Sequence, residues 1–149
     1  MLMIDNKEKI KRYFDNYKLI YNEYGKPYIE NNEFYFNKSY SCDLGVLVIE
    51  NNECGIDIEK IRKYNEVMSK KIFSIDEYNY VNSKINKDYY FTFLWTLKEA
   101  YLKYIGTGIN IKLDSISFVK NNKILFKNYD CKFKVIKIND YVICVCLGE

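Results

Sequence analysis

The sequence predicts an α+β domain, and three features carry that expectation. Apolar residues recur at helical spacing through residues 6–22 and again through 87–105. The last third of the chain instead alternates apolar and polar residues, as half-buried strands do. No repeat or low-complexity linker interrupts the 149 residues, which read as one domain over 1–149, and a hydrophobic content of 48% is enough to bury a core.

Taken in order, Ile10, Tyr13, Phe14, Tyr17, Ile20 and Tyr21 define an amphipathic first helix over residues 6–22. Gly25-Lys26-Pro27 punctuates the chain after it. Extended segments are expected over 33–37 and 44–50, followed by a strand over 54–59. Asn51-Asn52 predicts a tight turn and a hairpin between the last two. Ser74-x-x-Glu77 reads as a capping box opening a helix that reaches Lys84. A longer helix covers 87–105 with Gly106 at its C-cap, and strands are expected over 115–119, 124–126, 131–138 and 141–147.

Composition removes several function classes. The chain has no histidine, which excludes histidine triads, imidazole bases and the common zinc-enzyme ligand sets. Cys42, Cys54, Cys131, Cys144 and Cys146 are odd in number and form no C-x-x-C pair, so reduced, buried thiols are expected rather than disulfides or a zinc ribbon. A net charge of +3 spread over well-mixed lysines and acids does not suggest a nucleic-acid partner. No apolar run approaches the roughly 18–20 residues of a membrane span and no signal peptide is recognisable, so no membrane partner and a cytoplasmic location are expected.

The chemistry then falls to carboxylates, lysines and hydroxyls. In "CGIDIEKI" a period of two puts Cys54, Ile56 and Ile58 on one strand face and Gly55, Asp57 and Glu59 on the other. A solvated strand face explains two neighbouring acids. The helix of "LWTLKEAYLKYIGTG", however, adds Glu99 and Lys103 on a side shared with Thr92 and Thr96, apart from an apolar stripe of Tyr90, Leu94, Leu97, Tyr101 and Ile105. Glu99 and Lys103 are also placed for an ordinary i, i+4 surface pair. Three carboxylates on a strand and a nearby helix suit an oxygen-ligated Mg²⁺ that leaves room for substrate phosphates. An acidic strand beside a helix also suits a Mg²⁺-dependent nuclease, but the E-x-K pattern of that chemistry would require lysine where Ile61 stands.

Five ordered blocks extend this pattern: Gly25-Lys26-Pro27-Tyr28, "FNKSYS" at 36–41, "GIDIE" at 55–59, "FSIDEY" at 73–78, and "LWTLKEAYLKYIGTG" at 94–108. In order and spacing they resemble the 4′-phosphopantetheinyl transferase family, in particular the type that activates carrier domains of peptide and polyketide synthetases. The resemblance implies that fold, with a complete C-terminal half (53–149) and a reduced N-terminal half (1–52). It implies Mg²⁺-dependent transfer of 4′-phosphopantetheine from coenzyme A to a serine of an apo acyl or peptidyl carrier protein, releasing 3′,5′-ADP.

By the same resemblance Asp57, Glu59 and Glu99 are metal ligands, and Glu99 and Lys103 are catalytic. Lys26, Pro27, Ser39, Tyr40, Ser41 and Lys98 are then coenzyme A contacts. Tyr40 stands where the family pattern has histidine, and a phenol donates one hydrogen bond without adding charge. A reduced first half implies either a homo-oligomer that covers the exposed surface or a lapsed homologue acting as a carrier-protein or coenzyme A binding module.

Overall fold

Two antiparallel sheets meet along one pair of strands. The computed structural model describes residues 1–31 and 33–148. In it β1 (Leu2–Asn6), β4 (Tyr35–Ser41) and β5 (Leu44–Glu50) form the first sheet, in the order β1-β5-β4. The second sheet contains β6 (Cys54–Lys60), β9 (Lys127–Asn128), β10 (Cys131–Ile138) and β11 (Tyr141–Gly148), in the order β6-β11-β10-β9. A small hairpin of β2 (Leu19–Tyr21) and β3 (Pro27–Ile29) and a short ribbon of β7 (Val119–Lys120) and β8 (Lys123–Ile124) lie outside these sheets.

Strand alternation sorts the apolar side chains into three cores. Under α1 (Lys7–Arg12), Ile10 packs with Phe14, Phe36 and Leu47, and the Phe14 and Phe36 ring centroids are 4.0 Å apart. Between the sheets, Val46 and Val48 of β5 meet Ile56, Ile58, Ile143 and Val145. On the outer face of the second sheet, α4 (Lys87–Ile105) covers Cys144 and Cys146 with Phe91, Leu94 and Leu97. The helices α2 (Glu66–Ile72) and α3 (Ile75–Asn82) flank this last core.

β4 and β6 run side by side without a backbone ladder. Asn37 Oδ1 accepts a hydrogen bond from the Ile56 backbone N–H at 2.9 Å, Ser39 Oγ donates to Asp57 Oδ1 at 2.7 Å, and Ser41 Oγ accepts from the Lys60 N–H at 3.1 Å. The numbers rise together on both strands, so the two are parallel. Asn37 and Ser41 therefore satisfy backbone N–H groups on an edge of β6 that would otherwise stand open, and Ser39 between them holds the Asp57 side chain.

Several expectations are corrected. The first helix ends at Arg12, because Asp15 and Asn16 favour turns over helix, and successive i→i+3 bonds fold Phe14 inward before β2 begins. Asn51-Asn52 does not close a hairpin: β5 pairs with β1 and β4, while β6 pairs with β11, so this turn carries the chain from one sheet to the other. Residues 113–115 form a 3-10 turn, leaving only Val119, the first residue of β7, as strand in the 115–119 segment. The 124–126 segment contributes only Ile124, at the end of β8. β1 was not anticipated. The capping box is formed as read, with Ser74 Oγ accepting from the Glu77 N–H and Glu77 Oε2 accepting from the Ser74 N–H, although α3 ends at Asn82. α4 has the expected bounds and Gly106 caps it with φ 70°, but the helix is buried on most sides, Phe91, Thr96, Lys98 and Leu102 included, so the single stripe was too narrow.

Candidate active site

Gly55 determines how closely α4 approaches β6. A Cβ at this position would lie 2.1 Å from the Ala100 carbonyl oxygen and 2.4 Å from the Tyr104 nitrogen, so only glycine permits the contact. With the helix that near, the next two side chains on the same strand face, Asp57 and Glu59, are carried against it.

Asp57 is 4% exposed. Its Oδ1 is held by Lys103 Nζ at 2.6 Å and by Ser39 Oγ at 2.7 Å, and Lys103 also donates to Ser39 Oγ at 2.9 Å. The other oxygen, Oδ2, is buried with no hydrogen-bond partner among the described residues. A buried carboxylate oxygen left unpaired is costly and calls for a donor or a cation. Glu59 is half-buried; its Oε1 accepts from Trp95 Nε1 at 3.0 Å and pairs with the Arg62 guanidinium at 2.9 Å. Burial first, and then the Asp57 charge, push its carboxyl above the ordinary range.

Glu99 is one turn before Lys103 on α4, yet Lys103 turns to Asp57 instead of closing the i, i+4 pair. Burial and the neighbouring Asp57 charge raise the Glu99 carboxyl, with Lys103 opposing them. Glu99 and Lys103 face an open cleft of about 260 Å³ together with Lys26, Pro27, Asn37 and Lys38. The three acids thus share one electrostatic neighbourhood. Among the described residues, however, no three acidic or cysteine side chains are gathered closely enough to form a ready metal cage, and Glu59 is engaged with Arg62.

A family model described as the 4′-phosphopantetheinyl transferase superfamily matches residues 53–146, more than half of the chain. The chain belongs to this superfamily. It is 38% identical over 102 residues to the 4′-phosphopantetheinyl transferase gsp of Aneurinibacillus migulanus, a match covering 67% of this chain and 43% of that protein. Against the 4′-phosphopantetheinyl transferase Sfp of Bacillus subtilis (strain 168) the identity is 36% over 98 residues, covering 64% and 44%. The chain thus spans less than half the length of these relatives. In fold it is similar to the holo-[acyl-carrier-protein] synthase of Thermotoga maritima, with a TM-score of 0.52, 20% identity, and coverage of 63% of this chain and 61% of that one.

Of the superfamily blocks, the structure brings Asp57, Ser39, Lys103 and Glu99 to one place, with Lys26 and Pro27 along the cleft wall. It separates others. Lys98 faces away from the cleft: wholly buried, its ammonium pairs with Glu77 at 2.8 Å and donates to the carbonyls of Leu113 and Ile116. Tyr40 lies on the opposite face of β4 from Ser39 and packs into the core under α1. Ser41 is used on the Lys60 backbone. Lys26 keeps its stem in the wall but commits its ammonium to Glu53 at 2.6 Å, the Tyr104 carbonyl at 2.8 Å and the Cys54 carbonyl at 3.3 Å. It therefore ties the end of α4 to the start of β6.

Sequence reasoning missed Asn37, Arg62 and Glu53. Asn37 was detectable, because it continues the polar alternation of Ser39 and Ser41 on one strand face. Arg62 and Glu53 lie in loops without period, where no pattern marks them.

Proposed function

We propose that this chain transfers 4′-phosphopantetheine from coenzyme A to a serine hydroxyl of an apo acyl or peptidyl carrier protein. The observation that carries this reading is the unpaired, buried Oδ2 of Asp57 beside Glu99 and Lys103 in a chain of this superfamily. Hard carboxylate oxygens suit Mg²⁺, and such an ion would satisfy the orphaned anionic oxygen. Asp57 and Glu99 would hold the ion, joined by Glu59 once it leaves Arg62. When bound, Mg²⁺ supplies charge neutralisation for the pyrophosphate of coenzyme A.

The chain's own groups account for the rest. Glu99, whose carboxyl is raised by burial, takes the proton of the carrier serine as its oxygen attacks the β-phosphorus. The bond from that phosphorus to the bridging oxygen breaks, and 3′,5′-ADP leaves. Lys103, 29% exposed and already a donor to Asp57 and Ser39, swings its ammonium to the departing phosphate. Ser39 holds Asp57 in register meanwhile. Phosphoryl chemistry of this kind asks for positioning and charge neutralisation, which this set offers without histidine.

A second reading, a lapsed homologue that still binds a carrier protein or coenzyme A, is favoured by the internal commitment of Lys26 and Lys98 and by the absence of a ready cage among the described residues. One experiment separates them: intact-protein mass spectrometry of apo carrier proteins incubated with this protein, coenzyme A and Mg²⁺, beside Glu99→Gln. A phosphopantetheine-sized gain lost in the variant supports transfer. No gain on several carriers, with coenzyme A still bound by the folded protein, supports the binding module.

A further inference from the structure

A cavity of about 570 Å³ opens at the N-terminal end of α4. Tyr90 on its wall and Lys103 in the cleft are 13 residues apart on one helix, which is about 20 Å along the axis at the α-helical rise. The two sites are therefore separate.

Aromatic rings build this cavity. Tyr89 and Phe93, one turn apart on α4, have ring planes within 8° and centroids 6.1 Å apart. Phe126 leans on Phe93 at 6.5 Å yet remains 50% exposed, an unfavourable posture for a large apolar ring in water. Across from them Tyr80 meets Tyr90 edge-on at 5.6 Å. Burial pushes the Tyr80 and Tyr89 phenols up, so both stay neutral.

The charge at the rim has one sign. Lys123 and Lys137 line the cavity, Lys84 stands 4.0 Å from the Tyr80 ring centroid, and no carboxylate lies in the lining among the described residues. Lys137 gives one hydrogen bond to the Asn139 carbonyl, leaving two of its three donors for a ligand. The volume falls within the range of small-molecule pockets, which pair apolar walls with a few polar groups that fix orientation.

We propose that this cavity binds small amphiphilic carboxylates, with an aromatic or aliphatic body against the rings and the carboxylate between Lys123 and Lys137. The charge complementarity selects the headgroup, and the stacked walls select the body. The site does not depend on the transferase reading.

Isothermal titration calorimetry of the full chain with 1-naphthoate, 1-naphthalenemethanol and 1-naphthylmethylammonium tests it. The carboxylate is expected to bind at least about tenfold more tightly than the alcohol, and the ammonium not at all. Lys123→Glu combined with Lys137→Glu should erase the preference for the carboxylate, and Phe126→Ser should weaken its binding about tenfold or more. Unfolding midpoints of the variants confirm that they fold. Equal affinity for the three compounds, no binding of 1-naphthoate, or binding untouched by Phe126→Ser would overturn the proposal.

Discussion

Lys103 Nζ lies 2.6 Å from Asp57 Oδ1, so a helix residue supplies the positive charge that a buried strand carboxylate requires. Lys103→Met leaves that carboxylate with Ser39 alone. The expected loss is about 2–4 kcal/mol, somewhat under that of a fully buried pair because Lys103 is 29% exposed. A divalent cation offers the same charge. Mg²⁺ should therefore raise the melting temperature of Lys103→Met by more than it raises that of the unmodified protein. The absence of a shift in both proteins would remove the assignment of Asp57 as a ligand.

Glu99 should oppose stability where it serves chemistry. Burial and Asp57 raise its carboxyl in the folded state, so the folded chain holds more protons than the unfolded one between the two titrations, and stability falls as pH rises through that window. Glu99→Gln removes the burdened charge. In the absence of metal the variant should melt a few degrees higher at pH 7, with the difference closing below about pH 4, where the unfolded carboxyl is protonated too. Transfer by the same variant should drop at least about 100-fold. A variant less stable at pH 7 would contradict the burial argument.

The Lys98–Glu77 pair should behave as structure. Both side chains are fully buried, and burial draws both toward neutrality, Lys98 downward and Glu77 upward. Lys98→Met strands Glu77 and should cost about 3–5 kcal/mol in urea unfolding, while Lys98→Met with Glu77→Gln recovers part of the loss. Per folded molecule, the apparent KM for coenzyme A should change little. A large rise in that KM, with stability restored in the double variant, would return Lys98 to the phosphate-binding set.

Gly55→Ala tests the seating of α4. A methyl 2.1 Å from the Ala100 carbonyl forces helix and strand apart, a backbone conflict expected to cost about 3 kcal/mol or more and to displace Glu99 from Asp57. Circular dichroism melts and transfer assays should fall together. An unchanged melt would mean that α4 does not press on β6 at this residue.

Much of this site was legible because it obeys short periods. The alternation of 54–59 placed Asp57 and Glu59 on one strand face with Gly55, the face that α4 covers, and the capping box and Gly106 marked where one helix opens and another ends. What could not be read was which way flexible cations turn. Lys98 and Lys103 are five residues apart on one helix, and the first is buried against Glu77 while the second reaches Asp57. The direction is set by tertiary partners distant in sequence. The first helix failed for a related reason: aromatic residues at helical spacing fit a packed turn as well, and Phe14 found Phe36 instead of a helical neighbour. Pairing of β5 with β1 rather than β6 is likewise a long-range choice that Asn51-Asn52 does not encode.

The joint between β4 and β6 has a further consequence. A backbone ladder is indifferent to which residues form it, whereas Asn37, Ser39 and Ser41 hold this joint by side chains alone. The alignment of the two sheets is thus heritable one codon at a time. A single substitution at Asn37 or Ser41 is expected to shift the distance between Ser39 and Asp57 while the ladders within each sheet stay intact, which makes the seam an adjustable screw between scaffold and chemistry.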